Sequence, residues 1–319
     1  MKIPYDFEIE KILKELKNVK KVFIQAPDGL KQYLNILNEF KDITFFISTD
    51  PCYGGCYLLD DIAKKINCDL IIHFGHEKFI EKEEVPTIYI KCTYRDFSNE
   101  LIKKLLNFIK ENKFSNISIF TNAQHIDVLE EFISKIKDYG INVINGGLIL
   151  GCKIDKVKEI SNFVDALFYL GGGDFHALGM ALEIEKPVYI IDPFKNEIRD
   201  ISILKKKVLA KKWWAIHEAK NAKVIGIVIV VRKGQFNINL AMKLKLEFEE
   251  LGKKVILLIA EEVNWERLAP FTFIDAFIIT GCPRIAIDNR DSFYKPVLNL
   301  EEALELLKVI KNDKIKNRT

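Results

Sequence analysis

Three cysteines in this 319-residue chain stand where chemistry is most easily built. Cys56 closes Pro51-Cys52-Tyr53-Gly54-Gly55-Cys56, Cys152 closes Gly146-Gly147-Leu148-Ile149-Leu150-Gly151-Cys152, and Cys282 follows Gly281 and leads into Pro283-Arg284. Each comes after an apolar run that reads as a strand, and glycine flanks each one. Thiolates far apart in sequence but equivalent in a repeated fold can meet at one point. Three soft sulfur ligands at one point suit a metal, or an iron–sulfur cluster, with one position left open.

Local cluster motifs are missing. Neither Cys-x3-Cys-x2-Cys nor Cys-x2-Cys occurs, which excludes the ferredoxin and ordinary radical-enzyme patterns. A lone cysteine is more often a small core residue than a ligand. Repetition at three glycine-flanked strand ends outweighs that reading. The remaining cysteines serve as controls. Cys68 and Cys92 sit in apolar strand contexts and read as structural. Cys52 stands four residues before Cys56, a spacing that could hold a metal or form a disulfide. It reads as a bystander or a redox partner.

The elements that must position these residues recur three times. Each copy reads strand, helix, strand, helix, strand, short turn, strand. The first strands are 21–25, 117–120 and 224–229, and the helical patterns after them cover 30–40, 126–139 and 237–251. The second strands are 43–47, 141–144 and 254–259. In the third strands an aspartate precedes the apolar run every time (Asp69, Asp165, Asp275) and glycine closes it (Gly75, Gly171, Gly281). The fourth strands follow Pro86, Pro187 and Pro296. Near-continuous apolar strands alternating with helices predict parallel sheets covered on both faces. The expected fold is α/β: three tandem repeats of a small parallel-sheet domain in pseudo-threefold arrangement. The expected domains are 1–97, 98–195 and 196–319. The third begins with a linking helix near 205–221, whose Trp213 and Trp214 read as a packing anchor. Ligands of open α/β sheets bind outside the carboxyl ends of the strands. Cys56 and Cys152 follow second strands and Cys282 follows a third strand, so the repeat is imperfect.

Composition narrows the class. Hydrophobic residues make up 49% and charged residues 29%, which is globular rather than disordered. A net charge of +3 does not call for nucleic acid. The runs Lys205-Lys206-Lys207 and Lys211-Lys212 read as a solvated helix face. No secretory leader and no long apolar span is legible, so no membrane partner and a cytoplasmic location are expected. Six cysteines in such a chain read as thiols or ligands rather than disulfides.

Taken in order, the motifs resemble those of the diphthamide synthase family, the archaeal-type 3-amino-3-carboxypropyl transferases that begin diphthamide synthesis. The residues that carry this are Tyr53-Gly54-Gly55-Cys56 with Asp60-Asp61, then Gly147 to Cys152, then Gly171-Gly172-Gly173-Asp174-Phe175-His176, then Gly281-Cys282-Pro283-Arg284-Ile285-Ala286 with Asp288. The resemblance spans essentially the whole chain. It implies a 4Fe–4S cluster held by Cys56, Cys152 and Cys282, with S-adenosylmethionine as substrate at the open iron. An electron from the reduced cluster breaks the bond from sulfur to the aminocarboxypropyl γ-carbon. The fragment adds to C2 of a histidine of translation elongation factor two, and methylthioadenosine leaves. The resemblance also implies an electron donor and a homodimer. One departure concerns Asp174, where the family often has arginine.

Further site residues follow from chemistry and position. Glycines beside the cysteines let backbone N–H groups approach sulfur. Arg284 has a fork suited to a substrate carboxylate, with a salt bridge to Asp288 as its alternative. His176 could touch the ligand or orient a loop. Gly172 and Asp174 lie in a glycine-rich strand-end loop able to approach a nucleotide. Lys233-Gly234-Gln235 lies in the equivalent mouth of the third repeat, where Gly234 and Gln235 could cap S-adenosylmethionine. Asp28-Gly29 and Asn122-Ala123-Gln124-His125 fill the matching loops. His73 and His76 flank Gly75 and could be metal ligands, but with three thiolates available a structural or pocket-lining role is preferred. Three rivals stay open: a quinolinate synthase-like enzyme using the open iron as a Lewis acid, a non-catalytic cluster carrier or sensor with Cys52 as fourth ligand, and a plain zinc site.

Overall fold

The computed structural model describes residues 4–152 and 154–316. It divides into two compact units, Met1–Lys205 and Lys206–Thr319.

The first unit holds two sheets. One has strands β1 (Lys21–Gln25), β2 (Thr44–Ile47), β3 (Leu70–Phe74) and β4 (Thr87–Ile90) in the order β2-β1-β3-β4, all parallel. Its helices are α1 (Ile9–Glu15), α2 (Asp28–Lys31) and α3 (Asp60–Lys65). The other has β5 (Asn116–Thr121), β6 (Asn142–Leu148), β7 (Ala166–Leu170), β8 (Val188–Asp192) and β9 (Glu197–Asp200) in the order β6-β5-β7-β8-β9. It carries α4 (Asn99–Glu111), α5 (Leu129–Lys137), α6 (Asp155–Ser161) and α7 (Phe175–Glu183). Helix α8 (Ser202–Lys220) runs across the boundary of the units. The second unit has β10 (Val224–Val230), β11 (Lys254–Ala260), β12 (Ala276–Ile279) and β13 (Val297–Leu298) in the order β11-β10-β12-β13, all parallel. Its helices are α9 (Ile238–Glu250), α10 (Trp265–Leu268), α11 (Arg284–Asp288) and α12 (Leu300–Lys316). The same order, second strand, first, third, fourth, recurs in all three sheets. The strand order turns at the first and third strands, and that is where an open parallel sheet leaves a crevice.

Strand sequences are apolar throughout because both faces are covered. In β10, Ile225, Ile227 and Ile229 pack with Ala241, Leu244 and Phe248 of α9 and with Ala303, Leu306 and Leu307 of α12. The alternate residues Val228 and Val230 pack on the other side with Leu268, Phe277, Ala286 and Val297. In β1, Val22 and Ile24 face one cluster and Phe23 the other. Each such side chain contributes roughly 1.5–3 kcal/mol by leaving water. The three aspartates that precede the third strands have a shared structural role. Asp69 accepts the N–H groups of Lys20 and Lys21 at 2.9 Å each. Asp165 accepts those of Ser115 and Asn116, and Asp275 those of Lys223 and Val224, at 2.8 Å throughout. Each carboxylate ties the start of a first strand to the start of its third-strand neighbour.

Three expectations need correction. Trp213 and Trp214 of α8 are 53% and 68% exposed rather than buried as a packing anchor. The helix expected over 30–40 is broken into α2 and a 3-10 segment, Leu34–Glu39. Leu34 and Leu37 are buried together because residues three apart eclipse in a 3-10 turn. The middle sheet also has a strand that was not anticipated. Beyond residue 195, β9 pairs antiparallel with β8. The turn is built by Asp192, whose Oδ1 accepts from the N–H groups of Phe194 and Lys195, and by Asn196 at φ 56°.

Candidate functional site

All three singled-out cysteines lie past strand carboxyl ends. Cys56 stands in the connection from β2 to α3, Cys152 in that from β6 to α6, and Cys282 between β12 and α11. Cys56 and Cys282 are half-buried and Cys152 is exposed, whereas Cys52, Cys68 and Cys92 are buried. Burial pushes the Cys52 and Cys92 thiols up to about 12 each. Cys68 and Cys92 fall beside strands rather than within them, as core residues.

The glycine before each cysteine is dictated by packing inside the protein. A Cβ on Gly55 would lie 2.2 Å from the Glu77 carbonyl oxygen. On Gly151 it would lie 2.3 Å from Cε1 of Phe175, and on Gly281 2.5 Å from Cγ2 of Val230. Each cysteine loop is therefore pressed onto a neighbouring strand-end loop, helix or strand. The contact of Gly151 brings the Gly171–His176 segment against the Cys152 loop. Gly179 of α7 completes it, since a Cβ there would stand 2.6 Å from the Gly151 carbonyl oxygen.

The other candidates fall as follows. Gln235 reaches Cys282: its Oε1 accepts the Cys282 N–H at 3.3 Å. Gly234 lies in the same turn, after β10. Arg284 is 4% exposed, and its fork grips Asp288, Nε to Oδ2 at 2.9 Å and Nη2 to Oδ1 at 2.7 Å. The salt-bridge alternative is thus the one that forms. His176 stacks on Tyr169 with ring centroids 5.3 Å apart, and its Nδ1 lies 3.2 Å from the Tyr169 hydroxyl. Asp174 pairs with Arg199 Nη1 at 2.8 Å, and Gly172 packs against the ring of Phe194. In the matching loops, Asp28 pairs with Lys31, and Gln124 Nε2 donates to the Gly75 carbonyl at 2.7 Å. A surface groove of about 600 Å³ lined by Leu106, Ile109, Phe114 and Tyr139 includes none of these residues.

Sequence reasoning missed one cluster. Cys52, His73 and His76 offer ligand atoms that all lie within 4.8 Å of one another. Cys52 Sγ is 3.5 Å from His73 Nε2 and 3.9 Å from His76 Nδ1, and the two nitrogens are 3.1 Å apart. Burial holds His73 down to about 3 and His76 to about 4, so both imidazoles are neutral. The legible signal was a His-x-x-His pair across a strand end together with a cysteine after the second strand.

The model of the diphthamide synthesis protein family matches residues 26–317. The chain belongs to this family. It is 32% identical to the 2-(3-amino-3-carboxypropyl)histidine synthase of Pyrococcus horikoshii, over 93% of this chain and 89% of that protein. The synthase of the same name from Methanocaldococcus jannaschii is 30% identical, over 95% and 90%. Subunit 1 of the Saccharomyces cerevisiae synthase is also 30% identical, over 95% of this chain and 75% of that protein. The crystal structure of Dph2 from Pyrococcus horikoshii with a 4Fe–4S cluster superposes with a TM-score of 0.84 at 30% identity, covering 96% of this chain and 91% of that one. Among the described residues, no helix of this family member is long and apolar enough to cross a membrane.

Proposed function

We propose that this chain transfers the 3-amino-3-carboxypropyl group of S-adenosylmethionine to C2 of a histidine on translation elongation factor two, the first step of diphthamide synthesis. The observation that carries the reading is the set of three glycine-preceded thiols past strand ends, in a chain of this family whose Pyrococcus neighbour was solved with a 4Fe–4S cluster. Cys56 and Cys152 from the first unit and Cys282 from the second are the proposed ligands. Their surroundings suit such a group. They are the three less buried cysteines, and soft thiolates are the donors that iron–sulfur clusters require. The recurring strand order supports reading the chain as three tandem repeats in pseudo-threefold arrangement, 1–97, 98–195 and 196–319, with β9 carrying the middle sheet on to Asp200.

When bound, the cluster supplies one electron to the sulfonium and an open iron for the amino and carboxylate groups of methionine. The protein's own residues do the rest. Gln235 holds the Cys282 backbone by accepting its N–H, which fixes the direction of the thiol. Phe175 sets the path of the Cys152 loop through Gly151, and His176 is braced by Tyr169. Gly172, Asp174 and Gly234 complete the proposed lining for S-adenosylmethionine. Asp288 fills the Arg284 fork, so this pair acts by holding α11 behind Cys282 rather than by gripping a substrate carboxylate. Membership of this family removes the ground for the quinolinate synthase-like reading. An external electron donor, a homodimer and a cytoplasmic setting complete the proposal.

The test is anaerobic reconstitution with iron and sulfide. Wild type should take up four iron atoms per chain, and Cys56→Ala, Cys152→Ala and Cys282→Ala should each lose most of that iron. Cys68→Ala and Cys92→Ala should load normally. Full loading of all three single variants would refute the ligand assignment.

A further inference from the structure

We propose that Cys52, His73 and His76 form a second metal site, separate from the three cysteines above, built for a zinc-class divalent cation with one coordination position open. All three residues belong to the first unit. Cys52 comes from the loop after β2, His73 from the end of β3, and His76 from the turn after Gly75, whose φ of 79° swings the chain back toward the strand end.

The distances carry the argument. Zinc bound tetrahedrally at about 2.3 Å to sulfur and about 2.05 Å to nitrogen sets its ligand atoms ~3.6 Å apart for sulfur–nitrogen and ~3.3 Å apart for nitrogen–nitrogen. The observed separations are 3.5 and 3.9 Å from sulfur to nitrogen and 3.1 Å between nitrogens. The triangle needs only a few tenths of an ångström of adjustment to bracket one ion. His73 adds a second observation. It is fully buried, and its Nδ1 has no hydrogen-bond partner. The polar contacts of its ring run to Cys52 and His76, with the Tyr89 ring packed against it at 5.3 Å. His73 Nε2 is turned toward both Cys52 Sγ and His76 Nδ1 and is the nitrogen a metal would take. One thiol and two imidazoles, with no carboxylate in the set, favour zinc over magnesium or calcium. Three protein ligands leave a fourth position for solvent or another small donor.

The site would clamp the Ser48–Leu59 connection, which has no helix or strand, to the end of β3. Binding replaces the thiol proton of Cys52 by the metal and releases that proton to solvent. No electrons are exchanged.

The test uses the full-length Cys56→Ser, Cys152→Ser, Cys282→Ser triple variant, stripped with chelator and titrated with Zn2+, with Co2+ as spectroscopic probe. The expected result is one equivalent per chain and a thiolate-to-cobalt charge-transfer band. Cys52→Ser should abolish the band. His76→Gln, at a half-buried position, should weaken zinc binding about 100-fold or more, since even outer-shell losses cost 10–100-fold. Should the triple variant fold poorly, zinc analysis of the reconstituted wild type against His76→Gln decides the matter: one zinc beside the cluster iron, lost in the variant. Failure of the wild-type or triple-variant protein to bind zinc overturns the site, as does zinc retained undiminished by both Cys52→Ser and His76→Gln.

Discussion

At the scale of single residues, the glycine before each cysteine is as informative as the cysteine. Gly55, Gly151 and Gly281 each occupy a gap that no side chain fits, because a carbonyl, a phenyl ring and a valine already fill it. The sequence shows glycine beside cysteine, which invites a reading in which backbone approaches the cluster. The structure gives a prior reason: the loops must lie flat on their own neighbours. Gly151 is the clearest case. Gly151→Ala should cost about 1–3 kcal/mol by overpacking against Phe175. Combined with Phe175→Ala, the penalty should shrink, giving a favourable coupling in a double-mutant cycle measured by denaturant unfolding. Strict additivity would mean that the ring does not enforce this glycine. Arg284 was legible as a carboxylate-binding fork with two candidate partners, a substrate carboxylate and Asp288. The i,i+4 spacing on α11 admits Asp288, and the choice between a protein carboxylate and a substrate carboxylate lies in burial, which sequence does not print.

At the scale of elements, strands were read well because burial on both faces leaves an unbroken apolar run. Aspartates before the third strands were visible as a repeated pattern without a cause. The structure supplies one: each caps two N–H groups of the adjacent first strand. Those hydrogen bonds hold all three carboxyls below their ordinary value. The leading contributions are Lys21 N–H at Asp69, Asn116 N–H at Asp165 and Val224 N–H at Asp275. A carboxyl depressed in the folded state adds stability at pH above its unfolded value near 4, and that stability is lost as pH falls through the lower folded value. Asp165→Ala should therefore lower stability by about 1 kcal/mol at pH 7, a modest figure because the carboxylate stays partly solvated. The gap to wild type should close below about pH 4, as chemical unfolding at a series of pH values would show. A gap constant down to pH 2 would assign the loss to packing instead. What was misread at this scale was local. The 3-10 segment after α2 and the β9 hairpin depend on turn geometry, for which apolar spacing carries little signal.

At the scale of the whole molecule, one strand order recurs in three sheets, and the three cysteines follow strand ends in each, two after a second strand and one after a third. The recurrence of strand, glycine and cysteine was legible, and so was the family, although Cys282 stands one strand out of register with the other two. The Cys52–His73–His76 cluster was not, because it depends on how two loops fold over one sheet edge. Its members were legible singly as possible ligands, but nothing in the sequence joined them into one group. The central proposal is that Cys56, Cys152 and Cys282 are the ligands of an iron–sulfur cluster and that this chain would use it to transfer the 3-amino-3-carboxypropyl group of S-adenosylmethionine. The most direct measurement is product analysis after anaerobic incubation of the reconstituted, reduced protein with S-adenosylmethionine and elongation factor two. The account predicts methylthioadenosine, with a 3-amino-3-carboxypropyl group gained on a histidine of the factor, and neither from the Cys282→Ala variant. Release of 5′-deoxyadenosine instead, or an unmodified factor despite a fully loaded cluster, would contradict it.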